Sequence, residues 1–586
     1  MIVLGSDEGS PTMVVAVLGV LAVVAVNAFA RKVGVVAPLA LVAVGIAASW
    51  LPIADGFHLD PEWILAGVLP PLLYSAAVSM PTMEFRRDFG TIGGLSVTLV
   101  VITSVVLGLI FSWLVPGVGL AMGIALGAVI SPTDAVATGI VKRLGATPRV
   151  VTVLEGESLL NDASALVILR SAIVAVGASV SLGHVALDFG RSVVIAVLVG
   201  LVVGYANLRA RGALKDTASS TAISFVVPFV ASVPAEHLGA SGLVAAVTAG
   251  LVTGQGSARY LRAQQRLAET SNWSTIELLL EGGVFLTMGL QLSGLLDDVR
   301  EAHDSAWTAV WLGALAILVT IVLRTGYVAA VLWSARHQLD PDEEKERLAV
   351  ASERIAERTR RQRLASEGRG ADRARRSQET WALRVTRRVA DIDYLARSPL
   401  RRREGAVLVW AGMRGAVTVA AAQTLPESDV RDLLVLVAFV AAAGSLLVQG
   451  GTLGWLVRSL DLGGAPQDAE DDERARLLDA MAGATLRVVD DPDLRRSDGT
   501  PFDAEVLART RARAVRRDED DPRDTRALSD ELLELRLRII DAQRDILLEA
   551  RSTGTFSSAA LSSALDVLDA DQISAELKGG RRGDER

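Results

Sequence analysis

"GAVISPTDAVATG", residues 127–139, decides how this chain is built. It sits in an apolar run near 117–141, long enough to cross a bilayer, since about 20 helical residues span roughly 30 Å of hydrocarbon. Pro132 in its middle offers no N–H, and its ring collides with the preceding turn, so the helix must break near mid-membrane. Freed carbonyls and the Asp134 carboxylate then lie where the solvent is oil. A second soft point is "VWAGMRGAVTV" (409–419), where Gly412 and Gly415 flank Arg414.

Cut at its polar breaks, the chain gives about thirteen spans, near 13–30, 33–53, 62–80, 90–115, 117–141, 150–176, 184–207, 218–236, 240–257, 273–293, 306–334, 404–425 and 431–458. The interrupted spans are the fifth and the twelfth, and an odd separation makes them cross in opposite directions. Interrupted helices in oppositely oriented halves point to an inverted-repeat transporter with its site at the midplane. The predicted fold is an all-α polytopic membrane protein of about thirteen transmembrane helices, inverted repeats and two unwound crossing helices, with a helical cytoplasmic tail.

Composition agrees. The 586 residues are 51% hydrophobic but only 5% aromatic, so the apolar content is mostly Ala, Val, Leu, Ile and Gly. The absence of cysteine excludes disulfides and thiolate-ligated metals. Lys and Arg gather in alternate connections, from Arg31-Lys32 to Arg259, Arg262 and Arg266, which puts the N-terminus outside, the C-terminus in the cytoplasm and the protein in the cell membrane. The N-terminal "MIVLGSDEGSPT" carries acids and no base, the reverse of a signal peptide, so the first span is expected to stay.

A transmembrane domain, 1–460, is thus expected, with a cytoplasmic helical insertion at 335–404 that mixes both charge signs. A mostly helical cytoplasmic domain, 461–586, follows a Pro- and Asp-rich linker that starts at 465. In it Leu532, Leu535, Ile539 and Ile546 share one stripe. No nucleic-acid motif or phosphate loop is present.

A charge at the bilayer centre costs about 2.5–3.5 kcal/mol, so each calls for a partner or a task. In "EGESLLNDASALVILR" (155–170), Glu157 and Asn161 lie four apart, and Ser158 and Asp162 form a second such pair about 100° round the helix. Four oxygen-bearing side chains are therefore expected to face one cavity, a donor set suited to a hard cation. Helix-to-helix glue accounts for Ser158 and Asn161 but poorly for the Asp162 carboxylate. Asp134 is read either as an ion contact or as a cap on exposed N–H groups. Arg324 and Arg414 are both candidate partners of Glu157, and Arg414 is also a candidate neutraliser of carbonyl ends at its own break. Glu155, Arg170, Glu277 and Glu281 are assigned to interfaces or packing.

In "LPPLLYSAA", "SPTDAVATGIV", "EGESLLNDA", "FLTMGLQL" and "GMRGAV", met in that order, the chain resembles monovalent cation:proton antiporter family 1, the sodium/proton exchangers of the NhaP and NHE type. The resemblance implies thirteen helices with unwound, crossed helices five and twelve, and a homodimer in the lipid. It implies that Asp162 binds both the cation and the proton, with Asn161 beside it, Thr133, Asp134 and Ser158 around the ion, and Glu157 held by an intramembrane arginine. Sodium would thus be held by Asp162, Ser158 and Thr133. Members with an acid after "PPLL" carry a further carboxylate, but here Tyr74-Ser75 stand there.

One carboxylate serving either ion makes the two compete, because burial favours the protonated form while a cation favours the ionised one. No cofactor is called for. The Asn161-Asp162 pair implies, by the same resemblance, electroneutral exchange of Na⁺ or Li⁺ for H⁺. The alternatives are a K⁺/H⁺ antiporter regulated by its tail, a non-transporting ion sensor, or a channel. An enzyme is disfavoured, because His58, His184, His237, His303 and His337 fall at span ends or in loops.

Overall fold

The computed structural model describes residues 9–51, 60–177, 182–302, 305–336, 369–462, 467–516 and 530–580. Among these residues the chain is helical, with one isolated bridge between Arg495 and Pro501. It begins with α1 (Gly9–Val33), α2 (Ala37–Ser49), α3 (Leu69–Ser79), α4 (Thr82–Arg87) and α5 (Phe89–Gly93). Then come α6 (Leu99–Leu114), α7 (Leu120–Ile130), α8 (Ala135–Arg143), α9 (Pro148–Gly177), α10 (Leu182–Ala213) and α11 (Thr217–His237). The first part ends with α12 (Gly242–Tyr260), α13 (Ala263–Leu290), α14 (Leu292–Glu301) and α15 (Ala306–Arg336). Beyond the insertion lie α16 (Arg369–Arg397), α17 (Arg402–Trp410), α18 (Val417–Ala422), α19 (Arg431–Ser445) and α20 (Gly451–Ser459). The tail contributes α21 (Gln467–Val489), α22 (Ala504–Arg516), α23 (Asp530–Thr553) and α24 (Ser558–Gly580).

Among the described residues, eight helical stretches are long and apolar enough to cross a membrane, and three shorter apolar helices accompany them at 16–30, 37–49 and 63–79. The remaining expected spans, 240–257 and 404–425, are α12 and the broken pair α17 and α18. Trp50, Trp63, Trp113, Trp307 and Trp455 are exposed near the ends of apolar helices, where indole rings favour the water boundary of a bilayer.

Small residues set how closely the helices approach. A Cβ on Gly45 would stand 2.4 Å from the Leu286 carbonyl oxygen, and one on Gly254 2.2 Å from that of Val78. The pairs α2 with α13 and α3 with α12 therefore touch backbone to backbone. Two separate apolar cores result. One gathers Ile130, Val141, Val153, Leu312, Val407 and Leu434, and so joins α7, α8, α9, α15, α17 and α19. The other joins α3, α10, α11, α12 and the first half of α13 through Tyr74, Ala196, Ala231, Ala245 and Trp273. Between them lies an aliphatic seam of Leu73, Leu159, Ala163 and Val247.

One expectation is corrected and another refined. The stretch from 467 is helix α21 rather than linker, because acids gathered in a first turn favour a helix N-terminus. In α23 the expected stripe is half-buried at Leu532, Ile539 and Ile546 and buried at Leu535, and the fully buried face widens to Ile540, Leu547 and Ala550, because that helix packs on both α21 and α24. The charged run 342–364 of the insertion lies outside the described residues.

Candidate functional site

α7 stops at Ile130 and α8 restarts at Ala135, so the break falls on Ser131, Pro132, Thr133 and Asp134. Asp134 has extended backbone, and its carboxylate accepts from the Val136 N–H at 3.3 Å, capping α8. The second break, between Trp410 and Val417, lies directly against the first. The Asp134 N–H donates to the Met413 carbonyl at 2.8 Å. The Arg414 guanidinium, 2% exposed, donates to the Ile130 carbonyl at 2.7 Å and to those of Ser131 and Gly412. Its own N–H donates to Ser445 Oγ at 2.9 Å. Arg414 thus neutralises carbonyl ends at both breaks rather than pairing with an acid.

Glu157 goes to the other arginine. Arg324 Nη2 donates to its Oε2 at 2.7 Å, Nη1 to its Oε1, and Nε to the Leu408 carbonyl at 2.7 Å. Both residues are 2% exposed or less. Thr133 Oγ1 donates to Glu157 at 3.1 Å, and Asn161 Nδ2 donates to Thr133 Oγ1 at 2.7 Å and to its carbonyl at 3.1 Å. Glu157 and Asn161 therefore fasten the first break to α9.

Asp162 is treated differently. It makes no hydrogen bond or ion pair with a described residue, and it lines a cavity with Thr133, Asp134, Gly415, Thr418 and aliphatic neighbours such as Leu166. The cavity offers about 30 Å³ to the centres of water-sized bodies, where roughly 10–15 Å³ suffices for one. Asp134 Oδ2 is buried there without a partner, and Asn161 Oδ1 is buried without one on the neighbouring stripe of α9; such orphaned acceptors are costly unless something is bound. Carboxylate and hydroxyl oxygens in an apolar setting make a site for a small hard cation or a proton.

The reading that all four side chains of the two α9 stripes face one cavity is corrected. Of the four only Asp162 lines it; Glu157 and Asn161 are consumed by Arg324 and Thr133, and Ser158 is buried one turn earlier. The physical reason is the 100° turn per residue, which sends adjacent stripes to different neighbours.

Three of the four charged residues left aside have their own contacts. Glu155 pairs with Lys142 at 3.0 Å and Arg170 with Glu236 at 3.1 Å, while Ser75 donates its hydroxyl to Glu277. Arg211, near the end of α10, is fully buried against Glu269 at 2.8 Å. Ser224 completes that network by bonding both Glu269 and the Trp273 indole. Nothing local marks such a pair, whose members are 58 positions apart.

Comparison with known proteins follows the same lines. The family model described as "Sodium/hydrogen exchanger, transmembrane" matches residues 18–355. The uncharacterized Na(+)/H(+) exchanger YjcE of Escherichia coli is 37% identical over 276 residues, 46% of this chain and 50% of the relative. An uncharacterized Na(+)/H(+) exchanger of Mycobacterium tuberculosis is 28% identical over 495 residues, covering 82% of this chain and 80% of that one. Among solved structures, the sodium proton antiporter MjNhaP1 of Methanocaldococcus jannaschii superposes with a TM-score of 0.54 over 77% of this chain and 99% of that one, at 16% identity. That likeness establishes the fold: an all-α, multi-pass membrane architecture of the NhaP type.

Proposed function

Because this chain belongs to the sodium/hydrogen exchanger family of membrane transporters, we propose that it exchanges Na⁺ or Li⁺ for H⁺ at the Asp162 carboxylate. One observation carries the reading. Of the carboxylates Glu157 and Asp162, five residues apart on α9, Glu157 is neutralised by Arg324, whereas Asp162 has no partner among the described residues and lines the cavity beside the crossed breaks. A permanently paired acid cannot trade ions; an unpaired one can.

In this proposal the cation rests on Asp162 with Thr133, and Asp134 lies alongside with its spare oxygen. Arriving protons displace the cation from the carboxylate, and rocking of one helical bundle against the other turns the site between the two faces. Glu157, Arg324 and Arg414 hold the breaks in place and do not touch the ion. The proposal includes a homodimer, as the family resemblance implies, in the cell membrane with its N-terminus outside, an orientation supported by the alternation of Lys and Arg along the chain.

The test is a pH-dye assay in proteoliposomes given Na⁺, Li⁺ or K⁺ in parallel. Wild-type protein is expected to move protons on addition of Na⁺ or Li⁺, and Asp162→Asn to show none of that signal. Robust exchange by Asp162→Asn rejects the site, and a response to K⁺ alone rejects sodium as the substrate.

A further inference from the structure

The tail does not hang free of the membrane domain. Met83 of α4 enters the tail's own core, beside Leu477, Met481, Leu547, Leu561 and Leu568. Glu84, 4% exposed, accepts the Ser558 N–H at 2.7 Å and the Ser558 hydroxyl. The carboxylate of a membrane-domain residue therefore caps the first turn of α24, where free N–H groups favour negative charge. Arg87 donates to the Gly554 carbonyl at 2.7 Å and to Asp391 of the insertion at 2.6 Å. Gly554 has φ +73°, and a Cβ there would come within 2.7 Å of Arg87.

Eleven residues further along α24, about 16 Å at helical rise, Asp569 meets a different part of the membrane domain. Arg266 of α13 donates to it through Nε at 2.8 Å and through Nη2. Asp569 is 1% exposed and also accepts a longer bond from Arg544 of α23 at 3.4 Å, so this is an enclosed charge cluster, and breaking one side of it is costly.

The two anchor points sit against different cores, although α13 itself runs on into the first core at Val284, Phe285 and Met288. α4 is tied to α9, the helix of Asp162: Asp88, which follows α4, takes a forked bond from Arg149 at 2.7–3.1 Å, and Phe85 lies against Gly156. Arg266 stands on the first half of α13, whose Glu269 and Trp273 belong to the second core with α10, α11 and α12. From this we infer that α24 is a strut which spans the two helical bundles and restrains their relative motion, making the tail an autoinhibitory brake on exchange. The inference rests on the antiport reading, in which the bundles must move past one another. With both ends docked, that motion has to detach the Glu84 end or the Arg266 end.

The experiment uses the full-length chain in proteoliposomes, comparing wild type, Arg266→Asp, Asp569→Arg and the double exchange Arg266→Asp/Asp569→Arg. Each single change is expected to raise the Na⁺-driven rate, on the order of fivefold for a coupling of ordinary size, and the double exchange to restore the slower rate. Because the chain has no cysteine of its own, Glu84→Cys with Ser558→Cys can be joined by a short thiol-specific, reducible crosslinker. Joining is expected to slow exchange and reductant to reverse it. If active protein exchanges at an unchanged or lower rate in the single variants, or at the free rate when crosslinked, the strut is overturned and antiport stands. A wild type that exchanges no cation overturns the antiport reading itself.

Discussion

At the scale of single residues, the site is defined by which charges are spent and which are spare. Glu157 and Arg324 are fully desolvated and bonded through both oxygens of the carboxylate. Such a pair is only weakly stabilising against apolar residues of like volume, but removing one member leaves an uncompensated buried charge at about 3–5 kcal/mol. Glu157→Gln and Arg324→Met are each expected to lower the thermal unfolding midpoint in detergent sharply. Replacing both, as Glu157→Gln/Arg324→Met, should recover a good part of that loss. Single variants that unfold with wild type would show that the bond is not holding the break. Asp162 behaves oppositely, because nothing in the fold depends on its charge: Asp162→Asn should unfold near the wild-type temperature, a separation of stability from transport that the same thermal measurement checks.

At the scale of elements, the crossing of the two breaks depends on residues too small to obstruct it. A Cβ on Gly415 would stand 2.7 Å from Asp134 Cγ, and one on Gly412 the same distance from Arg324 Cδ and Nε. Gly415→Ala is therefore expected to push Asp134 off its cap on α8 and cut the exchange rate at least tenfold, a loss of about 1.4 kcal/mol. Gly190→Ala, in open space on α10, should exchange as wild type does. Equal rates for the two would refute the crowding argument. The breaks themselves were legible in the sequence, because a proline inside an apolar run and two glycines round an arginine each have a local physical meaning. Partner choice was not legible: Arg324 lies 167 positions from Glu157, and Arg414 was an equally good candidate until the backbone placed it over the Ile130 carbonyl. That Glu157 and Asn161 turn away from the cavity lined by Asp162 is not legible for a related reason. Helical spacing gives the angle between two stripes but not which neighbour each one meets.

For the whole molecule, what moves between the two faces is the sum of buried charges around the crossing. Arg324 and Arg414 contribute two positive charges, and Glu157, Asp134 and Asp162 three negative ones, so the ion-free site carries a formal −1 (2 − 3). One sodium ion or one proton on Asp162 brings either loaded state to zero. Under the proposed mechanism the bundle that carries the site would cross with no net charge in both directions, and exchange should be one for one and blind to voltage. Position 161 matters to the count, since asparagine there spends its amide on Thr133 and adds no charge. Moving one net charge across 100 mV is worth about 2.3 kcal/mol, which at 1.36 kcal/mol per decade is close to fiftyfold, so the two cases separate cleanly. Proteoliposomes held at zero and at about 100 mV by a potassium gradient with valinomycin should show the same initial rate of sodium-driven proton movement. A rate that climbs severalfold with potential would mean that a further buried acid travels with the site. Glu281, one turn beyond Glu277 on α13, would then be the first carboxylate to neutralise.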